Sequence, residues 1–243
     1  MALVVTPVTD RIHHCTTDLA AWVLVEEDGQ VTLVDAGYPA DTGLVRESLA
    51  RIGRQADDVA AVLVTHAHVD HIGSLPALGL RAPVLMSEEE TRHARREYLQ
   101  QATEADVLRN AWKPRVLAWS LRILPRGATK DVRLTDPVGV PASEPLDVPG
   151  RPVPVPTPGH TDGHLAWHFP SAGCVATGDA LVTGHPVTGI HHPHLLPGFF
   201  THDQAQADAS LDAIAGLDAD RILPGHGLTW SGPASRAVEL ARG

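Results

Sequence analysis

The fold is decided at residues 65–73, where the chain runs Thr-His-Ala-His-Val-Asp-His-Ile-Gly. Three imidazoles and one carboxylate fall within six residues, directly behind the apolar run 59–64, which predicts a buried strand. Side chains alternate along an extended segment, so His66, His68 and Asp70 are expected to leave the strand end on one side, with His71 in the following turn. Four ligand-type residues in so short a stretch predict a metal site rather than a polar loop.

The spacing of these side chains suits two metal ions rather than one. His66 and His68 can share the first ion, while Asp70 and His71, displaced along the chain, can reach a neighbouring ion. Imidazole nitrogen and carboxylate oxygen suit zinc, with iron or manganese as alternatives, because the stretch offers no soft thiolate. The expected cofactors are therefore two Zn²⁺ ions per chain.

Length and charge restrict the class of protein. The chain has 243 residues, 43% of them hydrophobic, which is enough core for one globular domain, 1–243. Its formal charge of −10 argues against general nucleic-acid binding, which needs a basic face to displace counterions. The oligomeric state is left open.

Cysteines and hydropathy indicate the compartment. Cys15 and Cys174 have neither a metal-binding spacing nor the number for a disulfide framework, so both are expected to be reduced and structural. The first residues lack a basic and apolar signal sequence, and no segment approaches about 18 apolar residues. We expect a soluble cytoplasmic protein without a membrane span.

The residues before the histidine stretch predict an α/β unit. Residues 20–34 predict a β-hairpin whose Asp28-Gly29 pair supplies the turn, and residues 41–52 have the apolar spacing of a helix. Asp35 follows the hairpin directly. It either caps the glycine loop after the strand or hydrogen-bonds a metal-binding histidine.

Residues 87–133 predict a polar helical insert. Ser87 and Glu90 form a capping-box pattern, and residues 88–133 hold ten Lys/Arg against seven Asp/Glu. The insert is either a lid over the site or an ordinary solvated helical pair. As a lid it would admit an anionic or amphipathic small molecule, and reversing Arg95 and Arg96 would raise KM without altering the metal content.

In the second half of the chain, as in the first, ligand-type residues follow predicted extended segments. Extended segments precede three more ligand-type residues, His160, Asp179 and His226, each beside a glycine. A histidine-rich loop, 184–202, follows the second of them; it either touches substrate, with Phe199 and Phe200 as an apolar wall, or is a flexible surface loop. Further elements are predicted at 137–158 (extended, proline-rich), 165–169, 173–177 and 221–223 (strands), and 204–214 and 233–242 (helices).

The ordered set of these residues resembles the metallo-β-lactamase superfamily, in its glyoxalase II-like and lactonase-like branch. The resemblance extends from Asp35 to His226 and implies an α+β fold, an αββα sandwich of two sheets with helices outside. It implies that one set of residues holds the first metal, a second set the next, and that Asp179 bridges both. The first set is His66, His68 and His160; the second is Asp70, His71 and His226.

The same resemblance implies roles for Asp35 and His164. The sequence also differs from known members of the family in two ways. Asp35 matches the family's aspartate that supports a metal ligand, and His164 is either a second supporting group or a packed structural residue. An Asp at position 179, where the best-known zinc β-lactamases have Cys, argues against antibiotic hydrolysis. The sequence ends soon after His226, so we expect no counterpart of the helical domain that contacts glutathione in glyoxalase II.

The function implied is that of a dinuclear metal-dependent hydrolase. A hydroxide bridging the two metals would attack an ester, thioester or lactone, with Asp70 orienting it and taking up its proton. Two alternatives remain open at this point: a mononuclear iron persulfide dioxygenase, and a non-catalytic metal-retaining ligand-binding protein. A phosphodiesterase acting on RNA is disfavoured by the acidic charge.

Overall fold

The structure, a computed structural model, describes residues 2–243. Met1, the first residue of the predicted domain, lies outside them. The first sheet takes its strands from the N-terminal part of the chain in sequence order. Its first four strands are antiparallel and the following ones are parallel. They are β1 (Val4–Pro7), β2 (Ile12–Thr16), β3 (Ala21–Glu27), β4 (Gln30–Val34), β5 (Val59–Leu63), β6 (Val84–Met86) and β7 (Val138–Gly139).

The second sheet comes from the C-terminal part, in the order β12-β11-β10-β9-β8. Only β10 and β11 are parallel neighbours. The proline-rich strand β8 lies at the edge, where the missing amide protons of proline cost the ladder least. The strands are β8 (Val153–Pro156), β9 (Leu165–Phe169), β10 (Cys174–Gly178), β11 (Arg221–Pro224) and β12 (Trp230–Ser231).

Alternating side chains create three apolar layers. In β3, Val23 and Val25 join Trp167 and Phe169 of the second sheet in a core between the sheets. The opposite face of the first sheet packs on α1 and α3, and that of the second on α7 and α8. The predicted α+β sandwich is confirmed. The helices are α1 (Thr42–Arg51), α2 (Val69–Ile72), α3 (Leu75–Leu78), α4 (Glu88–Ala94), α5 (Glu104–Asn110), α6 (Pro114–Ile123), α7 (Gln204–Ala215) and α8 (Ala234–Arg242).

Local predictions hold with some corrections. The β3–β4 hairpin turns at Asp28 and Gly29, both with positive φ, as expected. The sequence after Gly73 predicts a helix to Leu80 that Pro76 interrupts. Pro76 instead lies in the first turn of α3, where its missing amide proton is not needed, and the break precedes it. From Ser87 to about Asn110 the sequence predicts helix throughout, but residues 95–103 separate α4 from α5.

Both cysteines are free and buried, as predicted. Between residues 2 and 243, none of the helices combines the length and the hydropathy that crossing a bilayer requires.

Candidate metal centre

The first group of ligand-type side chains follows β5. The strand ends at Leu63, so His66 and His68 lie in an extended loop, whereas Asp70 and His71 lie on the one-turn helix α2. The expectation that strand alternation aims three of these side chains is therefore wrong. A change from extended to helical backbone at Val69 does so instead, since a helical turn brings residues 70 and 71 back over the loop.

The second sheet supplies three further side chains from separate loops. His160 lies between β8 and β9, Asp179 directly follows β10, and His226 follows β11 by two residues. Gly225, next to His226, leaves room for the cluster: a Cβ there would lie 2.5 Å from Asp179 Oδ1 and 2.7 Å from His71 Cε1. Both sheets thus present ligand-type residues at one edge of the sandwich.

Three imidazoles converge on one point. His68 Nδ1 lies 3.0 Å from His66 Nε2 and 3.1 Å from His160 Nε2. These three nitrogens lie within 4.8 Å of one another. The structure brings together the three residues predicted to hold the first metal.

A second group forms beside the first. Atoms of Asp70, His71 and His226 likewise lie within 4.8 Å of one another, and His226 Nε2 is 3.4 Å from Asp70 Oδ2. Asp179 lies between the groups, with its carboxylate 3.6 Å from His160 Nε2, 3.4 Å from His71 Nε2 and 3.3 Å from His226 Nε2. This is the position that a bridging ligand would need.

Asp35 fixes the imidazole of His71. Its Oδ2 accepts hydrogen bonds from His71 Nδ1 at 2.8 Å and from the Thr65 hydroxyl at 2.8 Å, and its Oδ1 accepts one from the Thr65 amide at 2.9 Å. In the neutral ring, which a bound metal would favour, His71 Nε2 would be left with a free lone pair. Asp35 holds this position at a φ of 59°, a left-handed conformation unusual for a residue with a Cβ. Of the two roles considered for Asp35, the structure shows the hydrogen bond to a histidine of the cluster.

Two further contacts orient the remaining imidazoles. His68 Nε2 lies 2.5 Å from the Gln100 carbonyl, which can only accept, so the proton is on Nε2 and Nδ1 is free. His164 accepts the Asp179 amide at Nε2, 3.2 Å away, and donates from Nδ1 to the Thr157 hydroxyl at 2.8 Å. His164 therefore supports the backbone of Asp179.

The donor set fits metal ions. Buried ligand-type atoms in the cluster face one another without a hydrogen-bond partner, among them His71 Nε2 and Asp179 Oδ1. Buried polar atoms are normally paired, because leaving one unpaired costs about 1–3 kcal/mol. A cation at the centre of each group would satisfy these lone pairs.

The electrostatics agree with this fit. Burial, together with neighbouring imidazoles, lowers the pKa of His66, His68 and His160, so that each ring is neutral at neutral pH and keeps one unprotonated nitrogen. Burial would also lower the pKa of His226, but Asp179 and Asp70 outweigh it and raise that pKa to about 9. The first group therefore offers neutral donors, and the second lies in a field that favours positive charge.

Glu90 is a residue of the site that the sequence pattern did not predict. Ser87 caps α4 as predicted, its hydroxyl accepting the Glu90 amide at 3.1 Å, but the Glu90 carboxylate does not complete a capping box. It is fully buried and accepts from the Ala67 amide at 2.7 Å, from His93 Nδ1 at 3.0 Å and from the Thr161 hydroxyl. Glu90 thus joins the two loops that carry His66, His68 and His160. The one available signal, His93 one helical turn after Glu90, is too common to have identified it.

Arg95 and Arg96, which were predicted to affect substrate binding, also make structural contacts. Arg96 donates to the Ala67 carbonyl at 3.3 Å and pairs with Asp131 at 3.0 Å, and Arg95 donates to the Pro137 carbonyl at 3.0 Å. They hold the insert to the sandwich. The expected rise in KM without a change of metal content stays a prediction.

An aromatic wall borders the second group. The ring of His185 lies 4.8 Å from that of His226, and Trp119 of α6 lies 5.1 Å from Phe200 and 5.8 Å from His185, between ring centroids. Within residues 2–243, His185 is the histidine of loop 184–202 whose ring packs against a histidine of the cluster. The insert and the loop both reach the edge of the site.

Comparisons with known proteins agree with this geometry. A sequence model described as the metallo-beta-lactamase superfamily matches residues 16–226. A probable metallo-hydrolase of Bacillus subtilis (strain 168), YflN, is 26% identical over 95% of the chain and 89% of its own length. A hydroxyacylglutathione hydrolase of Ruegeria pomeroyi is 29% identical over 89% of the chain, which spans 66% of that enzyme. The crystal structure of the metallo-beta-lactamase family protein TTHA1429 from Thermus thermophilus superimposes with a TM-score of 0.63 at 27% identity, covering 99% of the chain and 78% of that protein.

Proposed function

Because the chain belongs to the metallo-beta-lactamase superfamily, we propose that it is a dinuclear metal-dependent hydrolase of ester, thioester or lactone bonds. The observation that carries the proposal is the convergence of seven side chains from both sheets into two groups, with Asp179 between them. The names of the B. subtilis relative, a probable metallo-hydrolase, and of the R. pomeroyi relative, a hydroxyacylglutathione hydrolase, support the reaction class.

The proposed ligands follow from the free lone pairs. His66 Nε2, His68 Nδ1 and His160 Nε2 would hold one ion, and Asp70, His71 and His226 the other, with Asp179 between the two. Zinc suits this set of nitrogen and oxygen donors, with iron or manganese as alternatives. Divalent cations bound there would activate a water molecule and polarise a scissile carbonyl.

Asp70 is the proposed proton acceptor. Its side chain is 17% exposed, against 4% or less for the partners His226 and Asp179, so it borders the space that a substrate can enter. Burial would raise the pKa of Asp70, but the hydrogen bond from His226 and the charge on His71 outweigh it and hold that pKa well below its usual value. An ionised carboxylate can orient the attacking water and take up its proton.

His185 and Trp119 suit recognition of the acyl part. Val187 donates its amide to His185 Nδ1 at 3.2 Å, so the neutral ring carries its proton on Nε2. Burial lowers the pKa of His185 to about 3, which keeps the ring neutral. His185 Nε2 is thus a hydrogen-bond donor beside the indole of Trp119. This pair suits an uncharged acyl group that carries one oxygen acceptor.

Metal content and hydrolysis test the proposal together. Protein purified without a histidine tag is analysed for metals, then assayed on an aryl ester, a thioester and a lactone before and after chelation. We expect about two zinc ions per chain and activity that chelation abolishes and zinc restores. Asp179→Asn should lower the zinc content and reduce kcat/KM by roughly a hundredfold or more. Asp218→Asn, on an exposed residue, is the matched control.

Two results would contradict the proposal. About one iron per chain, with thiol-dependent oxygen uptake and no hydrolysis, would assign the persulfide dioxygenase reaction. Wild-type turnover by Asp179→Asn would refute the ligand assignment.

A further inference from the structure

The second half of the insert concentrates positive charge. Residues 107–130, which we call the basic segment, hold six Lys/Arg and no Asp/Glu. The rest of the chain holds 13 Lys/Arg against 29 Asp/Glu. The hydrolase proposed above gives no reason for this separation, because none of the proposed metal ligands lies in the segment.

The same segment exposes large apolar side chains. Five of the nine large hydrophobic residues that are exposed within residues 2–243 belong to it, with exposed fractions between 49% and 78%. Single exposed apolar residues are normal on a protein surface, whereas a group on neighbouring elements marks an interaction site. The five are Leu108, Trp112, Leu117, Leu121 and Leu124.

Helix α6 has apolar residues on two sides. Val116 and Trp119 are buried, and Trp119 packs beside His185 and Phe200. Leu117 and Leu121 lie one helical turn apart on the outer side, and Leu124 continues the row. The inner side already has a partner, but the outer row has none within residues 2–243.

Most cations of the segment are available to a partner. Arg126 is not, because its side chain is 15% exposed and pairs with Asp41 at 2.7 Å. Arg109 and Arg122 pair with Asp106 and Asp18 at the surface, where ion pairs contribute little and exchange readily. Long basic side chains can keep their charge in a polar layer while their stems cover apolar surface.

We propose that the basic segment docks the protein on an anionic lipid membrane. Exposed leucines, an exposed tryptophan and flanking cations are the chemistry of a helix lying in the plane of a bilayer surface. The acidic remainder of the molecule would be repelled by anionic headgroups, so the protein would bind with this segment towards the lipid. A symmetric contact between two copies would instead bring two basic segments together, which charge disfavours.

Vesicle co-sedimentation tests this without reference to catalysis. The full chain is mixed with vesicles of phosphatidylcholine alone or with added phosphatidylglycerol, and bound protein is measured against salt. Binding is expected on the anionic vesicles and should weaken as salt rises. Arg109→Glu should weaken it about fivefold or more. The double variant Leu117→Ser/Leu121→Ser should weaken it about tenfold or more.

The controls carry the same changes on exposed residues elsewhere, Arg81→Glu and Leu228→Ser. Both should bind like wild type, and thermal unfolding is used to show that every variant is folded. Failure of the wild-type protein to sediment with anionic vesicles would overturn the proposal, as would binding that the leucine variants leave unchanged. A wild-type dimer that Leu117→Ser/Leu121→Ser converts to monomer, without vesicle binding, would assign the face to a second copy of the chain and also overturn it.

Discussion

Glu90 connects the two loops that carry the first group of imidazoles. It lies on α4, yet its carboxylate reaches the Ala67 amide between His66 and His68 and also the Thr161 hydroxyl beside His160. A carboxylate can accept at both oxygens, whereas an amide would present hydrogens to one of these donors. The carboxylate therefore sets the separation of two loops from different sheets.

We predict that Glu90→Gln weakens binding of the first metal by roughly 10–100-fold. The variant keeps the shape of the side chain but cannot accept from every present partner. Zinc affinity, measured by competition with a chromophoric chelator, checks the prediction. Glu89→Gln, on a half-exposed neighbour that pairs with Arg92, is the control and should bind like wild type. Equal affinities in both variants would refute the role of Glu90.

His14 supplies a pH dependence outside the metal cluster. Its Nε2 donates to the Pro224 carbonyl at 3.0 Å and its Nδ1 accepts from the Thr229 hydroxyl at 2.9 Å, which joins β2 to the second sheet. Burial lowers the pKa of His14 from 6.5 to about 4, despite the opposing hydrogen bond to Pro224. The unfolded chain therefore binds a proton more readily than the folded protein between these two values.

His14→Gln should accordingly reduce the acid sensitivity of the fold. The free energy of unfolding contributed by neutral His14 is fully present above about pH 6.5 and falls as the pH drops towards about 4, by about 3 kcal/mol. Urea unfolding of metal-free protein at several pH values should show a shallower slope in the variant. His192→Gln, at an exposed position, should keep the wild-type slope. An unchanged slope in His14→Gln would show that His14 is not neutral in the folded protein.

The sequence could predict some residues of the site but not others. Ligand-type residues could be identified because imidazoles and carboxylates at strand ends are rare and chemically specific. The contacts of Glu90, Gln100 and Thr161 could not, because they join segments far apart in the chain and use residue types common on any surface. The seven proposed ligands lie together, but their roles stay a prediction until metal is measured.

At the scale of elements, the loops between strands determine the site. Sequence periodicity predicted most strands and helices, since apolar alternation follows from which face is buried. It missed β1 and β2 at the N-terminus. It also placed the whole run from His66 to Asp70 on a strand end, because the same pattern of residue types fits both an extended loop and a short helix.

The loop that carries His160 is held against helix α7 by Gly159. The φ of this glycine is +130°, and a Cβ would lie 2.1 Å from the Ala207 amide nitrogen. The His202 amide also donates to the His160 carbonyl, at 3.2 Å. Backbone packing of the loop on α7 therefore leaves no space for a side chain at position 159.

Gly159→Ala should destabilise the protein by more than about 2 kcal/mol, because backbone strain and overlap add together. Gly53→Ala is the matched control, since Gly53 also has a positive φ of +74° but nothing within 4 Å of the added Cβ. It should cost about 1 kcal/mol, from strain alone. Urea unfolding curves of both variants check the difference. Similar values would mean that α7 moves aside at little cost.

At the scale of the whole molecule, several carboxylates lie close together at the edge where the loops of the two sheets meet. Asp35, Asp70 and Asp179 are buried or nearly so in one region, and positive charge between them would relieve their repulsion. Divalent ions would supply that charge and stabilise the folded state alone, because the unfolded chain does not hold the ligands together.

Removal of metal should therefore lower the unfolding temperature. At a free zinc concentration about a thousand times the dissociation constant, linkage predicts about 4 kcal/mol of added stability. Calorimetry of the wild-type protein against zinc concentration checks this, with Asp179→Asn as the comparison that should respond much less. A wild-type unfolding temperature independent of zinc would contradict the proposed centre.

The division of the proposed ligands between the sheets also determines when the centre can form during synthesis. The ribosome delivers residues 66–71 first, at a stage when the chain has no His160, Asp179 or His226. Domains fold largely as units while synthesis proceeds from the N-terminus. An early nascent chain could hold zinc only loosely through its four leading side chains, and neither ion could be fully enclosed until His226 had left the exit tunnel. Metal loading would thus have to wait until the segments that form both sheets have been synthesised.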